Sequence, residues 1–225
     1  MKNFILSIIS ALCLVAWQSS SAAMIQVEYN ATVNHVGSYL TGDGIAVGDS
    51  VVGMFAYDTN ATDSNPDSNN GIFTGLGFSI TINGTTLSSS SSTIRTQDNQ
   101  QNGSATNPAD GMTVGANVES GSLNLNGYNA TGFQFGLRRD NVTIGQLWAD
   151  DFLPDLSDWA NITLADINAP DWHWLAFDTV GTTGTVDDIR WEIDSFNARN
   201  VPEPATLALM GLGLAGLGFA RKKRT

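Results

Sequence analysis

Cysteine occurs once in this chain of 225 residues, at Cys13 in the apolar run near the N-terminus. If that run is removed, the remaining body has no thiol. It can form no disulfide and offers no thiolate nucleophile or metal ligand, so its stability rests on core packing or on bound ions. Lysine is absent from residues 24–200. There, Arg95, Arg138, Arg139, Arg190 and Arg199 face 21 of the 22 acidic residues, a formal charge of −16 against −12 for the whole chain. Such a body repels nucleic acid and anionic surfaces and attracts divalent cations. Histidine is nearly missing too, with only His35 and His173, and neither belongs to a spaced zinc-ligand pattern. No Gly-x-Ser-x-Gly elbow supports a nucleophilic serine. Glutamate in the body is confined to Glu28, Glu119 and Glu192, and no stretch there keeps a long helical period.

The two ends differ from this body. Met1-Lys2-Asn3 is a positive start, Phe4 to Trp17 is apolar, and Ser21-Ala22-Ala23 is a small-x-small site. This pattern predicts a secretory signal peptide over 1–23, cleaved after Ala23, which also removes Cys13. At the other end, Val201-Pro202-Glu203-Pro204 precedes sixteen apolar or small residues from Ala205 to Ala220, then Arg221-Lys222-Lys223-Arg224 and Thr225. As a helix, 205–220 would span about 24 Å at about 1.5 Å per residue. That is slightly short of a hydrocarbon core of about 30 Å, a gap that snorkelling cations can cover. The basic residues 221–225 then form a cytoplasmic tail under the positive-inside rule, and the body lies across the membrane. Pro202 and Pro204 bar helix and favour an extended segment.

Val201-Pro202-Glu203-Pro204-Ala205-Thr206, the Gly/Leu-rich stretch and the Arg/Lys cluster resemble, in this order, the PEP-CTERM sorting signal of Gram-negative bacteria. The resemblance covers about a tenth of the chain. It implies Sec export, recognition by an exosortase and processing near the Pro-Glu-Pro motif. It also implies release or attachment at the cell surface or in an extracellular biofilm matrix, alongside exopolysaccharide. It implies nothing about the domain being carried.

That domain, expected over 24–197 with a linker over 198–204, looks all-β. Ile25, Val27, Tyr29, Ala31 and Val33 alternate with polar residues, as do Phe78/Ile80/Ile82, Met112/Val114/Ala116/Val118, Phe133/Phe135/Leu137 and Ile189/Trp191/Ile193. Val51 to Tyr57 is apolar on both faces, the pattern of a central strand. Asn83-Gly84 marks a hairpin turn. Asp151 to Ile167 is the best candidate for a short helix, with Leu153, Leu156, Trp159 and Leu164 along one side, despite Pro154. Ser88 to Ser92 is expected to be a loop, and Thr96 to Asp110 is a second polar stretch without periodicity. Short strands with turn signals predict a single β-sandwich or jelly roll, with an irregular barrel as the alternative.

Three groups carry candidate chemistry. Asp63, Asn65 and Asp67 match the first half of a calcium loop, but Ser68 replaces the turn glycine and Thr74 the closing glutamate; with Asp58 they form a candidate for a looser β-type calcium loop over Asp58 to Asn70. The alternative is an Asx-rich turn capping its own backbone. Asp187-Asp188 with Asp178 is a weaker acidic group, read as a solvated turn. Trp172 and Trp174 flank His173. On a strand the two indoles share one face, either as a platform for sugar rings or as a core layer with Trp148 and Trp159. Asp150-Asp151, Asp155 and Asp158 supply carboxylates of the kind used in glycoside hydrolysis, without sign of a cleft to raise a pKa. The reading is therefore a non-enzymatic exported protein, with a carbohydrate-binding or carbohydrate-cleaving lectin-like domain as the alternative.

Overall fold

Period-two alternation dominates the body because each strand buries one face, and the strands follow that pattern closely. The computed structural model describes residues 24–42, 44–65, 70–100, 109–140, 152–168, 172–179 and 187–201. The expected signal peptide, the apolar segment 205–220 and the basic tail lie outside these residues. Among the described residues no helix is long and apolar enough to cross a membrane.

The strands are β1 (Met24–Val36), β2 (Ser50–Asp58), β3 (Asn70–Gly75), β4 (Gly77–Ile82), β5 (Thr85–Ser89), β6 (Ser92–Gln100), β7 (Ala109–Asn117), β8 (Asn124–Leu125), β9 (Tyr128–Asp140), β10 (Trp174–Thr179) and β11 (Asp187–Val201). They form one antiparallel sheet in the order β3-β6-β7-β9-β10-β11-β1-β2-β4-β5, with β8 paired to β9. The domain is all-β, as the alternation predicted.

The sandwich expectation needs restating. The hydrogen-bonded path is continuous, so the described strands form one sheet and not two. Instead the sheet curls until its halves face each other. Four strands separate β4 from β9, yet the rings of Phe78 and Phe133 lie 4.6 Å apart. Phe135 packs on Tyr29 at 5.2 Å and on Phe55 at 5.0 Å. The chain enforces the curl, because Leu76 alone links edge strand β3 to β4 near the opposite edge. Ser88 of β5 also bridges to Ser120 beyond β7. One core results, built from the inward residues of every long strand.

Local chemistry explains most elements. Asn83 and Gly84 both take positive φ, 46° and 79°, which is the type I′ turn that suits a right-twisted hairpin. β2 is central in the sheet, flanked by β1 and β4, but only one face is covered. Val52 and Met54 remain 48% and 39% exposed, so its second apolar face is outward and not a second core. The serine run is mostly strand, since β5 reaches Ser89 and β6 begins at Ser92. Thr96 and Asp110, the ends of the polar stretch without periodicity, are strand residues and fully buried. The predicted linker begins later than expected. Residues 198–201 pair with β1, ending in the rung Met24–Val201.

The helical candidate resolves into two short helices, α1 (Leu156–Trp159) and α2 (Leu164–Asn168). Asp155 N-caps α1 in a capping box with Asp158. Leu153, Trp159, Ile162 and Ile167 face the core, whereas Leu156 and Leu164 are exposed. Trp159 Nε1–H donates to Tyr57 Oη at 2.6 Å, and Tyr57 Oη–H donates to the Pro154 carbonyl at 2.7 Å. That chain satisfies both polar atoms inside an apolar cluster.

Candidate functional site: an indole-walled groove on the outer face

Strand parity places His173 inward and the two tryptophans outward. His173 is 1% exposed. Its Nδ1 accepts from the Gly136 N–H at 3.3 Å, and its Nε2 lies 2.9 Å from the Ile167 carbonyl, the proton-bearing position in that tautomer. Trp172 and Trp174 are half-buried on the other face. Neither forms a core layer with Trp159, which is inside the curl. Trp148 lies outside the described residues.

Glycines shape this outer face. Gly111 and Gly115 on β7, and Gly132 and Gly136 on β9, leave the sheet backbone bare. Glycine costs a strand stability, and its presence marks a place where something approaches the backbone closely. At Gly136 that neighbour is Trp172. An added Cβ there would sit 2.7 Å from Trp172 Cβ and 3.0 Å from Cε3. The same indole reaches over Gly111, with Cζ3 at 3.8 Å from an added Cβ. At Gly115 an added Cβ would meet nothing within 4 Å. This second dent belongs to a groove of about 740 Å³ running over β6, β7, β9 and β10.

Trp174 walls the groove, directly opposite Gln134 in the β10–β9 register. Gln134 Nε2–H donates to the Trp172 carbonyl at 3.3 Å, which ties the groove wall to the first indole. Arg95, Asn117, Glu119 and Asp178 contribute the charged and amide groups, and threonine and serine hydroxyls supply most of the rest. Asp178 Oδ1 is buried without a hydrogen-bond partner among the described residues. Glu119 accepts from the Ser90 N–H and Oγ–H, each at 2.7 Å. Those bonds hold its carboxyl below the usual carboxylate range. Sequence reasoning missed the groove, although the glycine pairs at a spacing of four on two strands are its visible signature.

The other expected sites fall elsewhere. Asp63 Oδ1 accepts from the N–H groups of Asn65 at 2.8 Å and Ile72 at 2.7 Å, and Asp58 Oδ1 accepts from Asn60 N–H at 2.8 Å. These carboxylates organise the turn between β2 and β3. Asp67 lies outside the described residues. No group of three or more His, Cys, Asp or Glu side chains suited to a metal occurs among the described residues. Asp187 is engaged by the Tyr39 N–H at 2.8 Å and Asp188 by Arg190 Nε–H at 2.7 Å, while Asp178 sits apart in the groove. Asp155 and Asp158 are committed to the helix cap, and Asp150 and Asp151 lie outside the described residues.

One buried ion pair was not anticipated. Arg139 holds Asp166 in a bidentate pair, Nε–H to Oδ1 at 2.7 Å and NH2 to Oδ2 at 2.6 Å. Asp166 is 2% exposed and also accepts from Thr163 N–H and Oγ1–H, each at 2.7 Å. Burial pushes its carboxyl up, but the Arg139 and Thr163 hydrogen bonds outweigh burial and leave its pKa lowered. This pair fastens α2 to β9 on the inner side, away from the groove.

β11 ends at Val201, where the chain passes into Pro202-Glu203-Pro204. The family model for the PEP-CTERM protein-sorting motif matches residues 200–224. This chain is a PEP-CTERM sorting-domain protein. The sorting motif indicates an exported protein with a C-terminal membrane-anchoring signal that an exosortase processes. The match stops at the tail, and no curated protein and no solved structure matches the chain.

Proposed function

We propose that this PEP-CTERM protein is a non-enzymatic component of the cell surface or extracellular matrix. The Sec route delivers it, the apolar segment 205–220 holds it briefly at the inner membrane, and an exosortase cuts near Val201–Pro204. The observation that carries this reading is the sorting motif following β11 without a spacer. The register adds a geometric point. Met24, the first residue after the expected signal cleavage, pairs with Val201, the last residue before Pro202. Both processing points therefore flank a single rung of the folded body.

Several carboxylates support a non-enzymatic body by being already committed. Asp155 and Asp158 cap a helix, Asp166 is paired with Arg139, and Asp63 organises a turn. Glu119 is shifted down, whereas a general acid for glycoside hydrolysis needs a raised pKa. A specific observation also favours the carbohydrate-binding alternative: both indoles lie half-exposed on the outer face, one of them walling a groove.

The test of the sorting reading is fractionation of cells making the wild-type chain or variants. One variant replaces Pro202, Glu203 and Pro204 by alanine, and the other replaces Arg221 to Arg224 by alanine. Wild-type protein is expected in the surface and cell-free fractions, shortened at its C-terminus. Both variants are expected at full tail length in the membrane fraction. Identical distributions for all three chains would contradict the reading.

A further inference from the structure

The groove over Gly115 has the chemistry of a site for one class of ligand. We propose that it binds an uncharged linear polysaccharide, with one pyranose ring over the bare backbone at Gly115 and another against the Trp174 indole two strands away. This deepens the carbohydrate reading above and does not depend on the tail.

The neighbouring dent shows the principle. At Gly111 and Gly136 the missing side chains admit the chain's own Trp172 ring. At Gly115 the same device is repeated and the space is left open, with Gln134 on the next strand and the Trp174 indole one strand beyond it. The volume of about 740 Å³ falls within the range typical of ligand sites, roughly 300–1,000 Å³. Its walls combine one aromatic plate with hydroxyl and amide groups. A sugar ring has the same division, with an apolar C–H face and a rim of hydroxyls, so ring face meets indole and rim meets Gln134 and Asn117.

Other ligand classes fit less well. A lipid or apolar ligand needs a largely hydrocarbon lining, and here Trp174 is the large apolar side chain, since Phe133 points into the core. An extended peptide binding by strand addition needs free backbone groups, but the groove floor is made of strands already paired on both sides. An anionic chain would meet Glu119 and Asp178 against Arg95, inside a body of formal charge −16.

The experiment is isothermal titration of the full chain, in detergent micelles, with cellohexaose, laminarihexaose, mannohexaose and anionic oligogalacturonate. Binding of a neutral hexasaccharide at millimolar affinity or better is expected. Trp174→Ala should weaken it by about tenfold or more. Gly115→Val should abolish it while leaving the melting temperature unchanged or raised, because the added side chain enters open space in a strand. Three results would overturn the proposal: no neutral hexasaccharide binds at millimolar concentration, both variants bind as wild type does, or oligogalacturonate binds more tightly than any neutral chain. Any of these would leave the sorting reading intact, since that is judged on cell fractions.

Discussion

The inner and outer faces of β7, β9 and β10 come from the same three segments and are finished in opposite ways. Inward, Met112, Val114, Phe133, Phe135, Leu137, Leu175 and Phe177 are fully buried. The ionic groups that enter are Arg139 and Asp166, which pair with each other, and Asp110. Outward, the same strands carry glycine, threonine and glutamine and leave a groove open. Close packing rewards every added contact inside. A surface that gives up side chains costs stability, and such surfaces are where binding sites are found.

This contrast can be broken most sharply from the inside. Asp166→Asn leaves Arg139 buried without its counter-charge and is expected to cost about 3–5 kcal/mol. For a domain of this size that lowers the melting temperature by roughly 10 °C or more. The pH dependence follows from the lowered Asp166 pKa. A carboxyl with a depressed folded pKa contributes stability that is complete above its unfolded pKa of about 3.9 and is lost as pH falls through the folded value. Wild-type protein should therefore lose its advantage over Asp166→Asn only below about pH 4, read as melting temperature against pH. A constant difference down to pH 2 would remove the ion pair from the account.

The two outer dents give the next prediction. Gly136→Ala drives a methyl into Trp172 and should cost about 1–3 kcal/mol by overpacking. Gly115→Ala, on the adjacent strand of the same face, should be neutral or stabilising by up to about 1 kcal/mol. Chemical denaturation of the pair measures both, and equal effects would show that the dents do not differ as described. The smallest effect is expected at the Asp58–Asn65 turn. With Asp63 Oδ1 committed to two backbone N–H groups, calcium should leave the melting midpoint where a chelator leaves it. A midpoint raised by millimolar calcium would show that the turn binds the ion.

Much of the strand inventory was legible because β1, β4, β9 and β11 bury one face cleanly. The Asn83-Gly84 turn was legible because few residue pairs accept two positive φ values. Four features were not. The double apolarity of β2 hid an exposed outer face, since Val52 and Met54 look like core residues in sequence. Thr96 and Asp110 are polar by type and buried by position, which only tertiary packing decides. The curl of a single sheet depends on Leu76 being the sole link between distant strands, a fact of pairing and not of composition. The groove is written in glycines, and glycine in a strand is as easily read as a weak strand. The parity of Trp172 and Trp174 was legible from alternation alone, but whether that shared face was core or surface was not. The tail is the opposite case, because a linear signal read by an enzyme must be legible without a fold.

The most direct test of the whole account is the intact mass of the protein recovered outside the cell. The account predicts a chain that begins at Met24 and ends near Val201, the two residues of one terminal rung of the β1–β11 ladder. Extracellular protein that still carries Ala205 to Thr225 would contradict it.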